Sequence, residues 1–403
     1  PLQVSGLAAV QGTMLILAPL SSAYTVQSRE LLIQAAQVQG RFDRVQVGAG
    51  FFYNATLDYS PTAVAALLTR TASAEAAVQA AGGSDRAVTG ASWVSRLLDR
   101  LPELPQATQE RAWSIAMDAD TALSRLSSLP ARVQAGSRSL LVHEAAERAS
   151  LAVRRGTGDG LGFYAEAHDS LAGEGEGRLR HQGRGLTLVA GVGENLTLLV
   201  GGGEADGHES FGRYEAKRAS IATSAVWRDL RLFAGLDRIR AETERRVDGD
   251  TVRSRRTDWL LTARAELAWD PLYLAGGIVA HRLGGFAERH PLGIRGESDT
   301  SVHPFIEAGL ATRFGDPMDR LGAVDADLAL RRNFRREVEV EGRIGSVTVS
   351  ADGTPLPRER VRASLTWSKA LDRDLVVHAG VHGASDGRKM LDRRVDLGLR
   401  WEW

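Results

Sequence analysis

A period of two runs through the sequence from Gly160 to Trp403, and it constrains the fold more than any other feature. In "DWLLTARAELAWD" (258–270), Leu261, Ala263, Ala265, Leu267 and Trp269 alternate with Thr262, Arg264, Glu266 and Ala268. "GRGLTLVAG" (183–191), "NLTLLVGG" (195–202) and "DLVVHAGVHG" (374–383) read the same way. Successive side chains of a strand point to opposite faces, so each segment is a strand with one apolar face. Twelve such segments can be marked, near 160–169, 182–191, 195–204, 213–228, 229–243, 255–269, 271–285, 300–314, 321–334, 358–369, 373–384 and 393–403. "GEN" (193–195) and "WDP" (269–271) are tight connections, whereas "TERRVDGDTVRSR" (243–255) and "EVEVEGRIGSVTVSADGTPLP" (337–357) read as long polar loops.

Alternation alone also fits an antiparallel sandwich with one wet face. The polar faces decide against it. Arg264 sits with Glu266, and Asp325 and Asp327 with Arg331, while Arg362, His378 and His382 share the same parity in their own strands. A sandwich interior would not hold these groups, but the wet lumen of a membrane barrel would, which makes them pore-lining. The segments run roughly ten residues, the length a tilted membrane strand needs. Trp227, Trp259, Trp269, Tyr273, Phe314, Trp367, Trp401 and Trp403 fall near strand ends, where an interfacial girdle belongs. Short turns at one end and long loops at the other complete the outer-membrane arrangement. In "RLFAGLDRIRAET" the phase slips between Leu236 and Ile239, at a bulge or where the strand leaves the membrane. No stretch of about 18 apolar residues offers a spanning helix.

Composition narrows the function classes. With 50 basic and 50 acidic residues, the chain lacks the basic excess of a general nucleic-acid binder. Zero cysteines exclude disulfides, a thiolate zinc site and a Cys nucleophile. "GASDG" (383–387) matches a nucleophile-elbow pattern but has no later histidine and lies between strands. "HEAAE" (143–147) lacks the second histidine of a zincin and reads as a solvated helix face. The sequence therefore yields no catalytic set, no cofactor site and no metal site.

Ahead of the barrel, residues 1–75 are β-rich. Residues 76–135 turn helical, with Ala112, Ile115, Ala116, Ala119, Ala122, Leu123 and Leu126 on one face of a single amphipathic helix. A second helix, within 136–159, covers "SRSLLVHEAAERASLAVRR" and ends at "GTGDG". At about 27 Å it is long enough to cross a barrel's apolar band of about 25 Å. Its polar groups would meet the charged lumen. The abrupt start at Pro1, inside a strand-like pattern, suggests a fragment or processed product of a longer chain.

This order of parts resembles the C-terminal part of the autotransporters, the type V secretion family. The resemblance covers nearly the whole chain. It implies a mainly β protein: the end of a β-solenoid passenger (1–75), a helical linker region (76–135), a pore-threading helix (136–159) and a twelve-stranded antiparallel transmembrane barrel (160–403). "LLIQAAQVQGRFDRVQVGAGFFYNATLDYSPTAVAALLTR" (31–70) resembles the family's autochaperone segment, with Gly40, Phe42, Asp43, Leu57, Tyr59 and Val64 at the matching positions. Phe42, Leu57 and Tyr59 would form its core. The last strand, with Val395, Leu397, Leu399, Trp401 and Trp403 on one face, resembles the sorting signal read by the barrel assembly machinery. The resemblance implies a monomeric, non-enzymatic translocator in the bacterial outer membrane that displays its own N-terminal passenger, with residues 1–75 on the cell surface. Lipid, lipopolysaccharide, the assembly machinery and periplasmic chaperones would be its partners. The alternative is the anchor of an autotransporter enzyme, such as a subtilisin-like protease or an esterase, whose catalytic passenger lies outside this sequence.

Overall fold

The computed structural model describes residues 2–12, 15–17, 27–43, 45–47, 51–118, 120–153, 160–172, 178–193, 195–335, 338–353, 355–386 and 391–402. The chain opens with β1 (Leu2–Gly12), β2 (Leu15–Leu17), β3 (Gln27–Phe42), β4 (Val45–Val47), β5 (Tyr53–Ser60) and β6 (Ala63–Arg70). Here β1 pairs in parallel with β3, and β2 in parallel with β4. Both pairs have the same stagger, with Gly12 beside Phe42 and Leu15 beside Val45. β6 then pairs antiparallel with β3 and β5, which ends the parallel stacking.

Helices follow: α1 (Ala74–Ala80), α2 (Asp85–Asp99), α3 (Gln106–Ala116), α4 (Ala122–Ser128) and α5 (Arg132–Ala152). The side chains of Ser73 and Ser84 cap α1 and α2 by accepting from the backbone N–H groups of Ala76 and Ala87. The single helix expected over 109–126 is two helices. Asp118 accepts from the backbone N–H groups of Asp120 and Thr121 at 3.0 and 2.9 Å, a local turn that competes with helix continuation. Ala119 lies outside the described residues.

The remaining elements are β7 (Gly160–Ala172), β8 (Leu179–Val192), β9 (Leu196–Glu209), β10 (Gly212–Trp227), β11 (Leu230–Val247), β12 (Asp250–Trp269), β13 (Leu272–Leu283), the short β14 (Phe286–Ala287) and β15 (Arg295–Gly296), β16 (Asp299–Phe314), β17 (Ala323–Asn333), β18 (Glu339–Ile344), β19 (Val347–Asp352), β20 (Glu359–Ala370), β21 (Leu375–Ser385) and β22 (Leu391–Glu402). Twelve of them close a barrel: β7 to β13, then β16, β17, β20, β21 and β22, each antiparallel to its neighbour. β22 returns to β7, from Leu391 beside Leu171 to Glu402 beside Gly160, so no edge is left open. These are the twelve segments marked by their alternation.

Two expectations about connections are overturned. The 243–255 stretch is not a loop: β11 and β12 run on to a two-residue turn at Asp248 (φ 53°) and Gly249 (φ 89°). Both turn residues have positive φ, which an Asp-Gly pair accommodates at low cost. The 337–357 stretch contains the β18–β19 hairpin, whose Val340, Ile344, Val347, Val349 and Ala351 are buried. Its alternation was masked by the acidic residues facing outward.

One outer band of the barrel is apolar. Leu186, Leu198, Leu261, Leu274, Leu328 and Leu397 are exposed, with Trp227, Trp269, Phe314 and Trp401 beside the short-turn end. Twelve strands bearing a continuous apolar belt with aromatic edges fit hydrocarbon, so the barrel spans a membrane. No described helix is long and apolar enough to do so. The strands extend well beyond the belt. β12 has 20 residues, where a tilted span needs about ten. Above Leu236 the pattern inverts: Arg238, Arg240 and Glu242 face outward, whereas Ile239 and Ala241 are buried. Pairing on both sides of β11 is continuous, so the slip in phase is a change of solvent and not a bulge. Tyr273 is also not in the girdle. It is 4% exposed and points into the lumen, over Gly309 directly opposite, where a Cβ would collide with its ring.

The far ends of the long strands carry a cap. Its core joins Phe52, Tyr53 and Leu68 to Trp93, Leu97, Trp113, Ile115 and Leu126 of the helices. Val247 and Val252 of the β11–β12 tip, Leu292 of the turn between β14 and β15, and Ile344 and Val349 of the β18–β19 hairpin complete it.

Candidate functional site in the barrel lumen

α5 runs from the cap into the barrel. Every residue from Val133 to Ala152 is buried except Arg148. At 21 residues it is about 31 Å long, enough to traverse the band. Its first turns meet the long-strand end: Gln134 donates to Thr243 and to Ser254 (2.7 Å), and Arg256 donates to Ser137 (2.7 Å). Its last turn, at Ala149 and Ala152, packs on Tyr164, Val189, Leu199 and Phe233 near the short-turn end. The chain therefore enters one mouth, fills the lumen and begins β7 at the other.

A helix with charges on several faces is stable here because the barrel wall supplies a partner at each level. Arg138 reaches Asp299 at 2.8 Å and the carbonyl of Glu339 at 2.8 Å. His143 lies between Arg360 and Asp392, its Nε2 3.3 Å from the carboxylate. Glu144 takes Arg218 from the wall and Arg148 from its own helix. Arg148 also pairs with Asp237 at 2.6 Å, and Glu147 with Arg331 at 2.7 Å. Buried ion pairs add little net stability but are costly to break singly, so this ladder fixes register more than it adds strength. "HEAAE" is thus a lumen face and not a solvated one.

Most of the residues expected to line the pore meet in one network. Glu307, fully buried, is reached by Arg264 (2.9 Å), Arg331 (2.7 Å) and Arg362 (3.0 Å). Arg264 also holds Glu266 at 2.6 Å, and Arg362 pairs with Asp327 at 2.5 Å. The Tyr273 hydroxyl lies 3.2 Å from Glu307 and 3.1 Å from Asp327. Asp325 is elsewhere: it bonds the half-exposed Arg313 at 2.7 Å near the short-turn mouth. His378 packs on Tyr164 with ring centroids 5.9 Å apart, and His382 pairs with Asp396. Glu307, Asp237, Arg360 and Asp392 also line the lumen, although they are not among the expected pore-lining residues. All four hold inward parity, as Glu307 does beside the lipid-facing Ile306, so the signal was available.

Of the last strand, Val395, Leu397, Leu399 and Trp401 face outward and are exposed, while Trp403 lies outside the described residues. Phe42, Leu57 and Tyr59 are half-buried and not a closed core. The Phe42 backbone N–H donates to the Tyr59 hydroxyl at 2.9 Å, so the tyrosine staples the end of β3 instead of filling an interior.

The cap side has its own charge cluster. Arg125 bridges Asp118 (2.9 Å) and Asp248, and Arg111 meets Asp248 at 3.2 Å. Burial pushes the Asp118 carboxyl up, but hydrogen bonds from Thr121 and the Arg125 guanidinium outweigh this and hold it down at about 2.

No family profile and no curated protein matches the sequence. Among solved structures, the chain is similar to the translocator domain of the autotransporter NalP from Neisseria meningitidis. That likeness has 19% identity and a TM-score of 0.52, and covers 68% of this chain and all (100%) of that one. It also aligns with the transport unit of AIDA-I from Escherichia coli at 12% identity (TM-score 0.44; 68% of this chain, 99% of that one). The β domain of the Bordetella autotransporter BrkA aligns at 13% identity (TM-score 0.43; 61% of this chain, 100% of that one). The first likeness establishes the fold: a twelve-stranded barrel with a helix inside, of the autotransporter translocator type.

Proposed function

We propose that this chain is the outer-membrane translocator of an autotransporter, exporting and displaying a passenger joined to its N-terminal side. The observation that carries the reading is the path of the chain. α5 links the cap at one mouth to the first barrel strand at the other, through a lumen whose charges match its own. A polypeptide left in that position after transport is what a hairpin or threading export would produce. With the short turns in the periplasm, the cap and residues 1–75 lie outside the cell. The common stagger of the β1–β3 and β2–β4 pairs supports a solenoid coil as the origin of residues 1–47. On this reading the β3–β5–β6 sheet acts as a folding template for upstream coils, with Phe42 and Tyr59 at its edge. The outward face of β22 addresses the assembly machinery and then lipid. An enzymatic passenger, whether protease or esterase, would use the same barrel.

The test is display. A signal peptide and an epitope-tagged reporter are joined ahead of Pro1, and intact cells are treated with protease. Loss of the reporter from intact cells, and its retention inside when 391–403 is deleted, is the expected result. A reporter that stays protected in the periplasm beside a folded barrel overturns the proposal.

A further inference from the structure

Three side chains converge in the lumen: His168 of β7, His181 of β8, and Glu144 of α5, whose Oε1 serves the charge ladder while its Oε2 faces the histidines. All three are buried. The two imidazole Nε2 atoms are 2.9 Å apart. Glu144 Oε2 lies 3.8 Å from the first and 3.5 Å from the second. The carboxylate contacts are long for hydrogen bonds, which close near 2.9 Å. They suit ligands that share an ion, because donors about 2.0–2.1 Å from a tetrahedral zinc stand about 3.3–3.4 Å apart. The point equidistant from these three atoms in their own plane lies about 2.0 Å from each, so an ion lifted slightly out of that plane toward a fourth ligand stays about 2.1 Å from all three, within the range of zinc–ligand distances.

We propose that Glu144, His168 and His181 form a metal site for a zinc-type divalent ion, which ties the lumen helix to the first hairpin of the barrel. Imidazole and carboxylate donors in a three-ligand set, with a fourth position left to water, are a zinc pattern. The surroundings orient the ligands as such sites require. The Tyr214 hydroxyl bonds His181 Nδ1 and its ring stacks on the imidazole at 5.8 Å, leaving Nε2 for the ion. Gly183 lies opposite His168, where a Cβ would collide with the imidazole, so the ring can lie flat on the wall. Arg148 and Arg218 hold the other oxygen of Glu144 and turn Oε2 toward the histidines. Their positive charges oppose the ion, so the site is weaker than one built from carboxylates alone. His168 Nδ1 is buried without a hydrogen-bond partner, so this ligand lacks the outer bond that holds the His181 ring, a further reason for the site to be weak. The ligands come from three elements, with no sequence spacing to announce them, so sequence motifs could not find the set.

The full chain, refolded into detergent with zinc chloride and dialysed against metal-free buffer, is expected to retain one zinc per chain by elemental analysis. Cobalt chloride in place of zinc should give the strong visible bands of a four-coordinate ion. His168→Asn and His181→Asn should lose both signals, while His303→Asn, at a buried histidine of β16 bonded to Ser301, keeps them. Heat-modifiable gel migration on the same samples reports folding. Added zinc should raise the temperature of that shift in the wild type and not in the two variants. A wild type that retains no metal, or variants that bind as much as the wild type, would mean a histidine hydrogen bond or surface binding only, and overturns the site. Should a variant not fold, the wild-type cobalt spectrum decides alone: strong bands support the site and their absence overturns it.

Discussion

Glu307 shows what a single charge does in this lumen. Three guanidinium groups converge on it within 3.0 Å, and all three are buried. Glu307→Gln keeps the shape and removes the charge, leaving Arg264, Arg331 and Arg362 undercompensated. Loss of one partner from a buried pair typically costs about 3–5 kcal/mol. The heat-shift midpoint in detergent should therefore drop sharply. Glu204→Gln, at an exposed pair with Arg184, should move it by less than about 0.5 kcal/mol equivalent. Equal midpoints for the two variants would show that the network is solvated. Asp118 makes a pH-dependent contribution outside the membrane. Its folded pKa, held at about 2, lies below the unfolded value of about 3.9. The stabilisation is therefore complete above pH about 4 and is lost as pH falls toward 2. Amide exchange across 106–128 should accelerate over that window in the wild type. In Asp118→Asn it should already be fast at neutral pH and change little on acidification.

At the scale of elements, α5 is held by charges from many strands and has no solvent face of its own. Deleting Arg132–Ala152 should leave the strand pairing intact and empty the lumen, so planar-bilayer conductance should rise several-fold. Unchanged conductance would mean that something other than this helix closes the pore. The strands themselves were legible in the sequence because lipid and lumen impose opposite demands at every step: Leu261 must be apolar and Thr262 need not be. Legibility failed where that contrast changes sign. Beyond Leu236 the inside becomes apolar and the outside wet, so Ile239 looked like a slip in register. At 337–357 a hairpin whose outer face is acidic looked like a loop, although Val340, Val347 and Val349 keep the period. The partners of α5 were harder still. Which of Arg218, Arg331 and Arg360 meets Glu144, Glu147 or His143 depends on the helix's depth and rotation in the lumen, and neither is written in any local pattern.

The whole molecule has two cores with different logic. The lumen combines networks of paired charges with smaller apolar clusters around α5, and is enclosed by a barrel that needs lipid outside. The cap is an ordinary apolar core shared by helices, β5 and β6, and the strand tips. Among the described residues the two meet at α5, at the β11–β12 and β18–β19 hairpins, at Leu283 of β13 and at the Arg86–Glu209 pair between α2 and β9, a narrow seam, so the cap should loosen without unfolding the barrel. Trp93 is the residue to ask. It is 2% exposed, and its indole N–H donates to the Ser350 carbonyl on β19 at 3.0 Å, joining helix to hairpin. Trp93→Ala removes that bond and a large buried surface, a loss of about 3–5 kcal/mol that falls wholly on the cap. Arg111 and Arg125 are tied to Asp248 at the strand tip, so trypsin should cut there only once the cap has lifted. In Trp93→Ala, then, trypsin should cleave between Leu101 and Ala131 while the barrel keeps its heat-modifiable migration and its midpoint. If the midpoint falls together with cap protection, the two cores fold as one cooperative unit and the division is wrong. If cleavage does not appear at all, the strand tips hold the helices without Trp93, and the cap's stability rests on the Arg125–Asp248 and Arg245–Glu288 pairs instead.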